Sequence, residues 1–393
     1  MSHPHRVVCE TGQEPAVIPW RRSDTGGMPV FTSLSAGLTT PALVIDVDVL
    51  ERNITRMAEH ARTGGFALRP HAKTHKSLPI ADRQLAAGAV GLTVATIAEA
   101  EAFARHGVTD LFIAYPLWID NDKARRLRRL AETVALRLAA DSPEGARRLG
   151  EAVRGSARSV ELLVEIDSGH HRTGVPPKDA VAVGKAAADT GLNVVGVFTF
   201  PGHGYGHDAQ ARERAARDEE RELGEAAEAL SAVGLPARVI SGGSTPTAGR
   251  WQPGIVNELR PGVYVFNDAT QLALGSCTPD DVALVAAATV VSASTKERFV
   301  LDAGSKVLGT DTTPWVAGHG HLPDFPEASV TALSEHHATV VLPEGSEAPP
   351  LGALVAVAPN HVCTAVNLAD ELVVTRQGNV VDRWPVAARG ANT

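Results

Sequence analysis

The chain has 393 residues, 44% of them hydrophobic, enough to build a sizeable core and two domains. Its formal charge of -8 excludes a general nucleic-acid binder, no apolar run is long enough to span a bilayer, and three scattered cysteines, Cys9, Cys277 and Cys363, make no disulfide framework. The N-terminal stretch lacks the apolar segment of a secretory signal, so a cytoplasmic protein without nucleic-acid or membrane partners is expected.

Residues 1–38 carry prolines, glycines and charges without a period and read as an N-terminal extension. From residue 41 the pattern alternates. VDVLERNITRMAEHA places Leu50, Ile54, Met57, Ala58 and Ala61 on one helical face. Short apolar runs follow at 66–68 (FAL), 90–95 (VGLTVA), 111–115 (LFIAY), 134–140, 161–166, 193–200, 237–241 and 262–266 (GVYVF). Stretches rich in Ala, Glu and Arg with helical spacing separate most of them, and Gly107 is placed to end the helix IAEAEAFARHG. Eight strands alternating with helices predict a (β/α)8 TIM-type barrel, with a doubly wound open sheet as the rival. Beyond residue 275 the helical spacing fades. AAATVVSAS, RFVLDAG, ATVVLP, GALVAVAP, HVCTAVN, ELVVTR and NVVDRW read as strands. The expected organisation is an extension over 1–38, a barrel over 39–275 and a C-terminal mostly β domain over 276–393.

Barrel enzymes carry function on the loops after the C-terminal ends of their strands. The polar clusters fall there: RPHAKTHK (69–76), DSGHHRTG (167–174), PGHGYGHD (201–208), SGGSTPT (241–247) and ELRPGVYVFND (258–268). In SGGSTPT, Gly242 and Gly243 let amides turn toward an anion while Ser244 and Thr245 add hydroxyl donors, the make-up of a phosphate loop, although a plain turn has the same composition. In RPHAKTHK, Arg69, His71, Lys73, His75 and Lys76 crowd together. A lysine among cations and partly desolvated loses proton affinity, and a neutral amine is what a carbonyl cofactor requires. A phosphate cup with such a lysine points to pyridoxal 5'-phosphate (PLP), an electron sink. This chemistry alone does not separate Lys73 from Lys76, and a solvated basic loop is the alternative.

His203, in a Gly-rich loop at the rim, is a candidate acid or base, with His170, His171 and His207 as rivals. His361 and Cys363 lie two apart in a run read as a strand, which turns both to one face. Imidazole and thiolate suit Zn2+, and two protein ligands leave positions open for water or substrate. A buried cysteine beside a capping histidine is the alternative.

RPHAKTHK, preceded by TPALVIDVDVLERNI, resembles the PLP site of the D-serine dehydratase / D-threonine aldolase family, fold-type III enzymes with an alanine racemase-like barrel and a C-terminal β domain. The likeness runs on through TVATIAEAEA, VEIDSGHHRTGV, PGHGY, STPT, ELRPGVYVFND, LDAGSK, LSEH and PNHVCTAVNL, covering about 41–375. The resemblance implies that Lys73 is the amine that holds PLP. It implies that Arg172 stands near the cofactor's phenolic oxygen and that Tyr205 contacts the cofactor. By the same resemblance Ser244, Thr245 and the backbone of Gly262 and Val263 cradle the phosphate, and Arg260 faces the pyridine nitrogen. Phe198 stands where some relatives have a second tyrosine. PNHVC resembles the metal site of eukaryotic D-serine dehydratases, whereas D-threonine aldolases pair histidine with aspartate. Cys363 therefore leans toward a zinc-dependent dehydratase, with Mn2+ or another divalent ion as the alternative metal. Glu335 and His336 are expected beside that metal, and a homodimer is expected from the resemblance.

The expected activity is that of a PLP- and metal-dependent lyase on small D-β-hydroxy amino acids. Hydroxide leaves poorly, and a cation on the β-hydroxyl stabilises the developing charge as a Lewis acid. A D-serine dehydratase yields pyruvate and ammonia. A D-threonine or 3-hydroxy-D-aspartate aldolase yields glycine and an aldehyde, with His203 as its candidate base. An alanine-racemase-like reaction generally needs a tyrosine from the β domain, and Tyr115, Tyr205 and Tyr264, the only tyrosines, all precede it. A non-catalytic PLP carrier has no use for a β domain bearing HVC.

Overall fold

A computed structural model describes residues 38–206, 208, 210–249 and 254–393. The expected extension, apart from Leu38, lies outside the described residues, as do Cys9 and His207. Strand β1 (Ala42–Asp46) leads into helix α1 (Val47–Gly64), which starts where the Asp46 carboxylate accepts the amides of Asp48 and Val49. Strands and helices then alternate: β2 (Ala67–Leu68), α2 (Leu78–Ala86), β3 (Leu92–Val94), α3 (Ile97–Arg105), β4 (Asp110–Ile113), α4 (Asn121–Thr133), β5 (Ala135–Ala140), α5 (Pro143–Val153) and β6 (Glu161–Glu165). The series continues with α6 (Ala180–Ala188), β7 (Asn193–Phe198), α7 (Ala211–Ala232), β8 (Val239–Gly242), the short α8 (Thr245–Ala248) and β9 (Glu258–Leu259). Thr96, Asp120 and Ser142 cap α3, α4 and α5 through their side chains, so polar residues at strand ends set where each helix begins.

The eight strands β2 to β9 form one parallel sheet in the order β2-β9-β8-β7-β6-β5-β4-β3. It closes between β2 and β3 through the His71–Thr93 bridge and the bond from the Thr93 amide to the Pro70 carbonyl at 2.8 Å. The barrel is confirmed and the open sheet is excluded. Leu111 and Ile113 point to the helices, while Phe112 points inward to meet Ala139, Leu163, Val195 and Phe198. Both faces of each strand are thus covered, which is why the strands read as continuous apolar runs. Ion pairs also link the strands. Arg69 pairs with Asp110 (2.6 Å) and Glu258 (2.8 Å), and Arg137 with Glu258 (3.0 Å) and Glu161 (2.9 Å).

Past α9 (Ala269–Ala273) the chain turns mostly β: β10 (Leu284–Thr295), β11 (Arg298–Leu301), α10 (Ser305–Leu308), β12 (Ser329–Leu333), β13 (Ala338–Val341), β14 (Leu354–Val357), α11 (Val362–Leu368), β15 (Glu371–Arg376) and β16 (Asn379–Pro385). Their sheet runs β12-β13-β11-β10-β1-β15-β16, with β14 also on β10. It captures β1, which lies antiparallel to β10 and parallel to β15. Among the described residues, no helix is long and apolar enough to cross a membrane.

Two expectations are corrected. GVYVF (262–266) is not the eighth strand; Val263–Val265 form a 3-10 turn, and the strand is Glu258–Leu259. Val263, Tyr264, Val265 and Phe266 are all buried, and a run buried on every side has no period to tell strand from helix. HVCTAVN is likewise not a strand but the start of α11, with Val362, Ala365 and Val366 buried at helical spacing.

Candidate active site

At the end of β2 the chain enters a 3-10 turn, Ala72–Thr74, that carries Lys73. The Lys73 Nζ lies 5.8 Å from the centre of the Phe200 ring, and the Arg172 guanidinium lies 5.1 Å from the same ring. Burial, with help from Arg172 and Arg260, pulls the proton affinity of Lys73 below the ordinary lysine value, against the opposite influence of Cys363 and Glu99. Among the described residues Lys73 donates no hydrogen bond. Lys76 differs: its Nζ is bound to Asn367 Oδ1 (2.8 Å), Asn392 Oδ1 (2.9 Å) and Glu99 Oε1 (3.3 Å). The structure therefore separates the two lysines that the residue chemistry left equivalent.

The ends of β8 and β9 supply an anion cradle. Ser244 caps α8, its hydroxyl 3.1 Å from Thr247 Oγ1, and Thr245 Oγ1 accepts the Tyr264 amide at 3.1 Å. Among the described residues, no protein acceptor meets the amides of Thr245, Gly262 or Val263. A Cβ on Gly262 would stand 2.7 Å from Thr74 Oγ1, so only glycine lets this cradle approach the Lys73 turn so closely. The Gly243 amide is already taken by Glu219 Oε1 at 2.6 Å. Burial pushes the Glu219 carboxyl up to about 8, opposed by the Gly243 amide and Arg260, so it stays neutral beside the cradle at pH 7. Free amides, hydroxyls and a neutralised acid fit the phosphate of PLP, and Lys73 across the turn fits its aldehyde.

Arg260 is buried inside the barrel, donating from Nε to Ser241 Oγ at 2.8 Å and from Nη2 to the Thr199 carbonyl, with its guanidinium 5.0 Å from the Phe198 ring. Phe198 itself stacks edge-on against Phe112. A narrow cleft at the mouth is lined by Glu165, Asp167, His170, Arg172, Thr199 and Phe200. Tyr205 sits next to it, its ring 6.2 Å from Phe200. Burial raises the Tyr205 phenol far above its ordinary value, reinforced by Cys363 and Asp268, so it remains protonated. His203 does not line the cleft. Its Nε2 is 3.6 Å from Asp218 Oδ2 of α7, and its ring backs onto Gly169. Burial holds it below the ordinary histidine value, against the pull of Asp218.

His361 caps the start of α11 and Cys363 follows on its first turn. Asp268, fully buried and fixed by the amides of Gln271 (2.9 Å) and Val362 (3.1 Å), lies 3.5 Å from His361 Nδ1. Cys363 Sγ is 3.4 Å from Thr74 Oγ1, one residue from Lys73. Burial raises the Cys363 thiol, but His361, Lys73 and Thr74 outweigh it and hold it below the ordinary value. His361 is held well above its own by Cys363 first and Asp268 next, against burial. Among the described residues no set of three or more His, Cys, Asp or Glu side chains is gathered for a metal. The protein thus offers two donors, with a carboxylate orienting the imidazole, and this set fits a divalent ion with open positions. Glu335 and His336 lie on an exposed bend, where Glu335 pairs with Lys306 of α10 (2.6 Å).

Sequence reasoning missed Asp268, Thr74 and Glu219. Asp268 stands in the quoted ELRPGVYVFND, and its signal was a lone acid ending an apolar run. Glu219 carried none, lying in a helix crowded with acids.

Residues 45–270 match the family description "Alanine racemase, N-terminal domain", and 283–375 match "Putative serine dehydratase domain". The chain is 37% identical over 348 residues to D-threo-3-hydroxyaspartate dehydratase from Delftia sp. (strain HT23), covering 83% of this chain and 91% of that one. The fold superimposes on D-threonine aldolase from Filomicrobium marinum with a TM-score of 0.82 at 32% identity, covering 91% of this chain and 97% of that one. It also superimposes on two variants of a D-threo-3-hydroxyaspartate dehydratase, with TM-scores of 0.81 and 0.80 at 32% and 33% identity. Each covers 91% of this chain, against 96% and 99% of the variant chains. One replaces a histidine by alanine. The other replaces a cysteine two positions later and is described as a metal-free form.

Proposed function

The chain belongs to the alanine racemase N-terminal domain family, with a putative serine dehydratase domain behind the barrel, and from that premise we propose that it is a PLP- and divalent-metal-dependent lyase that dehydrates D-β-hydroxy amino acids. D-Serine is the simplest such substrate. Water is lost across Cα–Cβ, and hydrolysis of the released enamine gives pyruvate and ammonia. The observation that carries the reading is the pairing of the His361 ring with the Cys363 sulfur, which also meets Thr74 on the Lys73 turn. The same spacing of histidine and cysteine occurs in the dehydratase whose cysteine variant is metal-free.

Lys73 would hold PLP, whose phosphate the amides of Thr245, Gly262 and Val263 would receive. When bound, PLP supplies an electron sink for the charge left at Cα. Lys73 takes the Cα proton, because its lowered proton affinity leaves more of the amine free. Arg172 faces the same Phe200 ring as Lys73 and orients negatively charged oxygen there. His361 and Cys363 would hold a Zn2+ that draws electrons from the β-hydroxyl. Tyr205 stays protonated, which leaves its phenol a hydrogen-bond donor beside the cleft.

The test incubates the enzyme, loaded with PLP and Zn2+ or Mn2+, with D-serine, D-threo-3-hydroxyaspartate and D-threonine. Equimolar 2-oxo acid and ammonia are expected. Glycine and an aldehyde would replace the dehydratase by the aldolase reading, which the D-threonine aldolase superposition favours. No product from any of the three would sink both. A homodimer belongs to the proposal and is read from the mass in solution.

A further inference from the structure

The second lysine of RPHAKTHK has no part in the chemistry above, yet it is more fully enclosed than the first. Lys76 is 4% exposed and has φ 47, a left-handed conformation that side chains other than glycine and asparagine rarely hold. Its ammonium meets side chains from three elements. Asn367 Oδ1 (2.8 Å) comes from α11, the helix that carries His361 and Cys363. Glu99 Oε1 (3.3 Å) comes from α3 of the barrel. Asn392 Oδ1 (2.9 Å) comes from the segment 386–393.

That segment is sewn onto the barrel around the same point. The Ala388 amide donates to the Lys76 carbonyl (3.1 Å), Thr96 Oγ1 to the Ala391 carbonyl (2.8 Å) and the Ala98 amide to the Thr393 carbonyl (2.9 Å). Glu99 is 2% exposed and also accepts the Ala95 amide through Oε2 at 2.7 Å, so its carboxylate is rigidly placed. Two hydrogen bonds and an ion pair hold the ammonium. Nothing here is free to bind substrate; everything here is arranged to hold three segments in one register.

We propose that Lys76 is a positioning residue: it locks the Lys73 turn, the short helix α11 through Asn367, and segment 386–393 into one unit, and so sets the separation between the cofactor amine and the metal ligands. The lock acts in the barrel's own currency of geometry, since Cys363 Sγ and Thr74 Oγ1 are only 3.4 Å apart and any slide of α11 along the turn opens that gap. An outer residue that orients metal ligands typically affects metal affinity ~10–100-fold. The proposal rests on the reading of Lys73 and of His361 with Cys363 given above.

The experiment compares holoenzyme of wild type with Lys76→Met, Lys76→Arg and Asn367→Ala. Zinc affinity is measured by competition with a chelator, PLP occupancy by absorbance, and kcat and KM on the substrate found active. Lys76→Met and Asn367→Ala are expected to weaken zinc binding ~10–100-fold and to lower kcat more than they raise KM, with PLP still bound. The double variant Lys76→Met/Asn367→Ala is expected to be no worse than Lys76→Met alone, because both remove the same link. Lys76→Arg should recover part of the loss. Wild-type zinc affinity in a folded Lys76→Met protein overturns the proposal, and so do additive losses in the double variant. If wild type itself binds no metal, the metal reading fails instead, and hydrogen exchange decides the lock. Faster exchange in both 362–368 and 386–393 of Lys76→Met upholds it, and unchanged exchange in either overturns it.

Discussion

Replacing Glu219 by glutamine isolates one buried acid and the pH dependence it confers. Glu219 is fully buried in α7, its Oε1 2.6 Å from the Gly243 amide and its Oε2 without a partner among the described residues. Burial lifts its carboxyl from the ordinary 4.5 to about 8. An acid whose folded value is raised favours the folded state most below the unfolded value. Its contribution falls as pH rises from 4.5, and it is fully lost above the folded value near 8. Each pH unit inside that window removes about 1.4 kcal/mol, so about 3 kcal/mol is gone at pH 7. Glutamine keeps the Oε1 acceptor for Gly243 and carries no proton to lose. Glu219→Gln should therefore match wild type near pH 4.5 and exceed it by about 3 kcal/mol at pH 7. Urea unfolding of both proteins at steps between pH 5 and 8.5 measures the gap. Parallel stability curves across that range would falsify the assignment of a neutral acid under the cradle. The consequence for function is direct, since an ionised Glu219 would set a negative charge against the phosphate that the neighbouring amides await.

Lys73→Ala should abolish the absorbance of lysine-bound PLP; a band that survives in the variant would move the cofactor to another amine. Cys363→Ser should lower both zinc content and turnover, and full zinc with full rate would remove the metal from α11. In Gly262→Ala the new Cβ would stand 2.7 Å from Thr74 Oγ1, and overpacking of this kind costs about 1–3 kcal/mol. PLP should then bind ~10-fold more weakly by equilibrium dialysis, and unchanged binding would show that the turn yields without effect. Arg137→Met strips Glu258 of one of its two arginines inside the barrel and should cost about 3 kcal/mol in urea unfolding. A loss below about 1 kcal/mol would mean that Arg69 and Ser241 suffice for that carboxylate.

Much was legible in the residue order because it depends on local periodicity. The barrel followed from apolar runs alternating with helical spacing, and its eight strands form from those runs, except that Glu258–Leu259 replaces 262–266. The clusters RPHAKTHK, DSGHHRTG and SGGSTPT follow strands β2, β6 and β8, as the strand-end rule requires, because polar loops cannot be buried inside the sheet. Tertiary structure decided what depends on distance between remote segments. Lys73 and Lys76 have the same side chain three positions apart; only packing leaves one without a hydrogen bond and surrounds the other with Asn367, Glu99 and Asn392. The Asp268 carboxylate comes within 3.5 Å of His361, and Glu219 under the Gly243 amide, across separations of 93 and 24 residues that no periodicity spans. Proton affinity is set by such long-range neighbours and by burial, and both exist only once the chain has folded.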